Sequence, residues 1–180
     1  MRAVRIGALA GVVAGVVMAV WSMAIMWMTG SGFWIPLNLI AHMFYRSAPL
    51  NGAFSGPALI IGLALHMTVA VMFGIAITVL VRRLPAARSL VIAGGILFIA
   101  VVWPAMQYGV WYSLDEPAAE GFTDWVFAVA HLIFGLVAAS IAAVAVADET
   151  SRRGRHAATA VSVPQPNAVP GSLFQPHRPR

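Results

Sequence analysis

The chain has 180 residues, 61% of them hydrophobic and only 9% charged, with a mean hydropathy of +0.86. That composition excludes an ordinary water-soluble domain and implies a membrane protein. There is no cysteine and no lysine, which removes disulfides, thiolate metal sites, cysteine nucleophiles and Schiff-base chemistry, and the eleven basic side chains behind the net charge of +5 are all arginines flanking apolar runs, so they read as topology signals and not as a nucleic-acid surface.

The first predicted element covers residues 6–29. A basic start, MRAVRIG, leads into an apolar run longer than the h-region of a signal peptide, with no clear small-x-small cleavage site, so it reads as an uncleaved first span. On it Gly7, Gly11 and Gly15 recur every fourth residue and Ala19 continues the row, a stripe on which another helix backbone can pack closely. Packing within the chain ranks ahead of a homodimer seam for this stripe. The connection 30–56 holds Pro36, Asn38, His42 and Arg46 in a stretch with too few apolar residues to span. With its proline placed for a first helical turn, it predicts a short interfacial helix, an ordered extracytoplasmic loop being the alternative. His42 is expected there as a solvated or headgroup-facing side chain.

Residues 57–81 form the second span, almost unbroken in its apolar character and carrying a single ionisable group, His66. At about 1.5 Å per residue it is long enough for a hydrocarbon core of roughly 30 Å, and an ionisable group inside it needs a use or a partner. The third span, 90–112, contains Gly94, Gly95 and the pair Trp103-Pro104, where a proline should bend the helix. The following segment, SLDEPAAEGFTD, holds four of the six acids, Asp115, Glu116, Glu120 and Asp124. A fourth span covers 125–147. Residues 148–180, with five prolines, five arginines and no apolar periodicity, predict a disordered cytoplasmic tail. The expected fold is therefore an all-α membrane protein, a four-transmembrane-helix bundle over 1–147 followed by that tail.

With four spans, ten arginines fall on one side and only Arg46 on the other. This positive-inside bias places both termini in the cytoplasm, and Trp27, Phe33, Trp34, Trp111, Tyr112 and Trp125 gather at the opposite interface as an anchoring belt.

Counting inward from the cytoplasmic charges puts Trp21, His66, Pro104 and His131 each sixteen or seventeen residues deep. That is about 24–26 Å at helical rise, in the outer half of the membrane, with Ser22, Trp103, Gln107 and Tyr108 at or just above the same level. His66 is followed by Ala70 and Gly74, and His131 by Gly135 and Ala139, so spans two and four share a histidine-xxx-small-xxx-small face. With Trp21 and Trp103 at matching depth, two readings of that match stay open, a twofold repeat of helical hairpins with the 30–56 segment extra to the first, and chance agreement in a chain rich in alanine and glycine.

Three readings compete for the polar layer His66, His131, Ser22, Trp21, Trp103, Gln107 and Tyr108. Neutral imidazoles can be packing groups that hydrogen-bond across helices, at about 0.6–2 kcal/mol each. They can form a small outward-facing ligand or proton site, since imidazole titrates near neutrality. Or His66 and His131 can be the axial ligands of a b-type haem in a membrane electron carrier. Two histidines do not complete a typical metal site, and Met23, Met26 and Met67 are better read as apolar filling than as copper ligands, so no metal is expected. Paired carboxylates, a phosphate loop and a nucleophilic triad are all missing from the sequence, and no enzymatic activity is expected.

The motifs FWIPLNLIAHMF, GLALHMTVAVMFG and AHLIFGLV resemble those of a group of small uncharacterised four-span bacterial inner-membrane proteins, over about residues 7–147. The resemblance implies a bundle fold and a bacterial inner-membrane location, and it brings no catalytic residue. The expected partners are the lipid bilayer and a membrane-protein partner or second copy, with no nucleic acid.

Overall fold

The computed structural model describes residues 2–83 and 88–161, and among these there is no strand. The helices are α1 (Arg2–Met28), α2 (Ile35–His42), α3 (Gly56–Arg83), α4 (Arg88–Pro104), α5 (Tyr112–Leu114), α6 (Glu116–Gly121) and α7 (Asp124–Val161), with a π-helical stretch, Ala105–Trp111, between α4 and α5. Four segments are long and apolar enough to cross a membrane: Arg2–Met28, Gly56–Arg83, Ile92–Leu114 and Asp124–Arg152. In a bilayer a spanning backbone must satisfy its own polar groups, and helices do so even where a valine-rich sequence has modest helix propensity in water. The chain is built as a multi-pass membrane protein.

Local chemistry fixes where these helices start and change. Pro57 lies in the first turn of α3, and the Ser55 hydroxyl accepts from the Ala58 N–H at 3.4 Å. Asp115 caps α6, its carboxylate accepting from the Ala118 N–H, with a proline in the first turn. In the third span Pro104 has no N–H to give the carbonyl one turn back. The α-helical register ends at that residue and a π-helical stretch carries the chain on to Trp111, so the proline acts here through a change of register.

The described residues divide into two units after Ala147. Where the sequence predicted a disordered tail from Asp148, the chain remains helical to Val161. Extending a helix that already exists needs no new nucleus, so apolar periodicity is not required for it to continue. Residues 162–180, the rest of that expected tail, lie outside the described residues.

Within the first unit, α1 and α3 pack backbone to backbone. A Cβ added at Gly11 would fall on the Ala70 carbonyl, and one at Gly7 on the backbone of Gly74 and Ile75. Gly15 faces the Ala70 methyl, and Gly74 sits against Gly7 and Gly11. On α4, a Cβ added at Gly95 would fall on the Ala139 methyl of α7, and one added at Gly135 would lie 3.1 Å from the Gly95 carbonyl oxygen. Residues of α1, α3, α4 and α7 share one apolar core, with Ala14, Ile77, Ile99, Ala138 and Phe134 among its buried members.

A second apolar cluster joins Met26, Ile35, Leu39, Trp111, Ala118, Ala119 and Val126, so α2 and α6 lie together over one end of the bundle. The sequence predicted α2 as an interfacial helix. Its side chains from Ile35 to Leu39, with Ala41 and His42, are buried against protein. The Leu37 carbonyl lies against Gly62 of α3 and the Leu39 side chain against Gly121 at the end of α6. Asn38, buried with them, donates to the Ala53 carbonyl at 2.9 Å and so ties the loop before α3 to the same element.

Candidate functional site

His66 comes from the middle of α3, on the face that carries Ala70 and Gly74. Because Gly15 has no side chain, the ring reaches the α1 backbone, and its Nε2–H donates to the Gly15 carbonyl at 3.0 Å. His131 sits on α7. Its Nδ1–H donates to the Phe127 carbonyl one turn earlier at 2.8 Å, and the Phe127 ring meets the imidazole edge to face, centroids 4.4 Å apart. Carbonyl oxygens only accept, so both tautomers are assigned by these bonds: the remaining nitrogens, Nδ1 of His66 and Nε2 of His131, are acceptors when the rings are neutral.

Both histidines line a cavity of about 330 Å³. Its walls are apolar and aromatic, with Phe44, Phe73, Phe122, Phe127, Phe134 and Trp111 supplying rings, and Ser22 and Thr123 supplying hydroxyls. Among the described residues, no Asp, Glu or Arg lines it. The pocket lies between the two helical hairpins, α1 with α3 and α4 with α7, and residues of α2 and of the segment after α6 close its end.

The other members of the predicted polar layer lie elsewhere. Trp21 packs edge to face on Trp125, centroids 6.3 Å apart. The Trp103 indole N–H is buried without a hydrogen-bond partner, and its ring meets Tyr108. Gln107 is completely buried; its amide donates to the Ala119 carbonyl at 3.1 Å and its Oε1 has no partner. Tyr108 is exposed and donates to the Asp124 carboxylate at 3.0 Å. None of these four is among the cavity's lining residues. Trp111, expected in the outer aromatic belt, is instead buried and forms part of the cavity wall.

A polar cluster that residue spacing alone does not assemble closes this end of the bundle. The Asp115 side chain is 0% exposed; it accepts from His42 Nδ1 at 2.7 Å and pairs with Arg46 Nη1 at 2.7 Å. Arg46 also donates through Nη2 to the Leu114 carbonyl at 2.9 Å. His42, expected to be solvated or to face headgroups, is therefore buried and bonded to a carboxylate, because α2 folds back onto the connection between the third and fourth spans. His42 and Arg46 belong to the α1–α3 connection and Asp115 to the α4–α7 connection, so the cluster latches one hairpin to the other. Two signals in the sequence bear on it: Arg46 as the lone arginine on the side where the acids gather, and Asp115 before Glu116-Pro117 as a helix cap.

The described residues contain no grouping of three or more His, Cys, Asp or Glu suited to a metal ion. The chain matches no protein-family model, no curated protein sequence and no solved structure.

Proposed function

We propose that the chain is a non-enzymatic protein of the bacterial inner membrane, with both termini cytoplasmic, whose inter-hairpin cavity is a small-ligand site toward the extracytoplasmic side. The carrying observation is that His66 and His131, from different hairpins, line one apolar cavity of about 330 Å³ and each keeps a ring nitrogen without a hydrogen-bond partner among the described residues. Apolar walls with a few convergent polar groups are the usual chemistry of a ligand pocket, and the volume lies at the lower end of the roughly 300–1,000 Å³ range for such sites. The ten-to-one arginine bias supports this orientation, in which Arg46 and the latched end of the bundle lie outside. In this orientation α2 lies toward the outer interface.

A ligand site suits the lining better than a proton path, since no carboxylate or arginine lines it to share a charge among the described residues. The haem alternative is weakened by His66, whose Nε2 is already bonded to Gly15, and by a cavity suited to a single ring more than to a macrocycle.

The test uses full-length protein in lipid nanodiscs with indole as a single-ring probe, empty nanodiscs giving the partitioning background. Wild type should show saturable binding, and Ser22→Phe, which fills the cavity, should abolish it. No saturable binding in either would leave the histidines as packing groups of a scaffold, and a Soret band lost on replacing His66 or His131 would put haem first.

A further inference from the structure

We infer that this cavity selects neutral lipophilic phenols, hydroquinones included, over their carbonyl and ether counterparts. The inference rests on the ligand-site reading above and adds the chemistry of the ligand. It follows from which hydrogen-bonding roles the backbone has already taken.

A neutral imidazole carries one donor and one acceptor. At His66 the donor is spent on the Gly15 carbonyl, and at His131 on the Phe127 carbonyl. Neither ring can turn its N–H toward a ligand without giving up that bond and setting a lone pair against the carbonyl oxygen. The cavity therefore offers a ligand two acceptor nitrogens, from opposite hairpins, and the Ser22 and Thr123 hydroxyls, which can both donate and accept. A phenolic hydroxyl complements this set, donating to an imidazole and accepting from Ser22. A quinone carbonyl or an ether oxygen meets only part of it: either can accept from a hydroxyl, but toward the imidazole nitrogens it brings lone pairs toward lone pairs.

Charge narrows the class further. No Asp, Glu or Arg lines the cavity among the described residues, so an anion or cation would enter without a counter-ion and lose its hydration uncompensated. Six aromatic side chains in the wall favour an aromatic ring over an aliphatic alcohol, through offset and edge-to-face contacts. The volume of about 330 Å³ limits the buried portion to one substituted ring.

Three probes built on one tetramethyl ring separate these roles: tetramethylhydroquinone kept reduced under argon, tetramethylbenzoquinone of nearly equal shape, and the dimethyl ether of the hydroquinone, larger by two out-of-plane methyl groups. Equilibrium dialysis against full-length protein in nanodiscs should give the hydroquinone an affinity about tenfold above the other two, as expected for the hydrogen bonds to the imidazole nitrogens, which it alone of the three can donate. His131→Leu keeps the bulk and removes one acceptor. It should reduce hydroquinone affinity about fivefold and leave the ether unchanged, with an unaltered melting temperature showing that the bundle is intact.

Equal binding of all three probes, or preference for the quinone, would overturn the phenol assignment; if indole still binds saturably, the cavity survives as a ligand site of another class. Saturable binding of neither indole nor any of the three would overturn both readings together. The comparison among probes is made within wild type, so it stands even if a histidine variant fails to fold.

Discussion

The two helical hairpins carry the same arrangement, a histidine followed by two small residues at four-residue spacing, but they use it differently. In the α1–α3 hairpin the small residues bring backbone against backbone: Gly11 lies on the Ala70 carbonyl, and Gly74 between Gly7 and Gly11. His66 completes that contact by bonding across to Gly15. In the α4–α7 hairpin a methyl group, that of Ala139, stands between the helices at Gly95, and His131 bonds to its own helix. Close helix approach, not the histidine itself, therefore decides whether an imidazole serves as an interhelical bond or stays on its own helix beside a cavity.

The largest expected effect tests that contrast directly. Gly11→Leu forces a side chain into the Ala70 backbone, which cannot rotate away, so it should cost about 3 kcal/mol or more. Gly95→Leu sets its Cβ against the Ala139 Cβ, which is fixed to the α7 backbone and yields only if the helices part, so it should cost about 2 kcal/mol. Unfolding in mixed detergent micelles titrated with dodecyl sulfate measures both, and equal losses would show that the two seams are mechanically alike.

The latch comes next in size, and it shows how the hairpins are held to each other. Asp115→Leu removes the buried carboxylate shared by His42 and Arg46 and also the cap of α6. Loss of one member of a buried ion pair is strongly destabilising when the remaining charge stays buried. Here Arg46 is 57% exposed and can return to water, so about 2 kcal/mol is expected. Arg46→Ala should cost under about 1 kcal/mol for the same reason, since His42 still serves the carboxylate. In the same unfolding titration, an Arg46→Ala loss as large as that of Asp115→Leu would mean that the guanidinium, and not the carboxylate, organises the cluster.

Sequence makes some of this legible and not the rest, for identifiable reasons. The four apolar segments can be read because span length and hydropathy are local properties, and helices of membrane-crossing length occupy all four. Residue counting from the flanking charges sets His66 and His131 at one level, and they line the same cavity. The same counting selects Trp21, Trp103, Gln107 and Tyr108, which do not line it. Depth along a helix carries no information about direction around it, which turns by about 100° with each residue. Ser22 faces the cavity and its neighbour Trp21 packs on Trp125 for that reason. The latch is harder still to foresee, because His42 and Asp115 are 73 residues apart and nothing periodic connects them.

The smallest effects separate the two histidines themselves. His66→Leu removes a bond between two helices and leaves the Gly15 carbonyl with its intrahelical partner alone, so a loss of about 1 kcal/mol is expected, in the range of interhelical bonds within membranes. His131→Leu removes a bond within one helix turn, where the Phe127 carbonyl again has its helical partner, and it places an apolar side chain beside an apolar cavity. Its stability should change by no more than about 0.5 kcal/mol. The two substitutions are chemically identical, so the difference between them isolates geometry: if His131→Leu proves as costly as His66→Leu, the second imidazole also bridges helices in the membrane, and its free nitrogen is no longer available to a ligand.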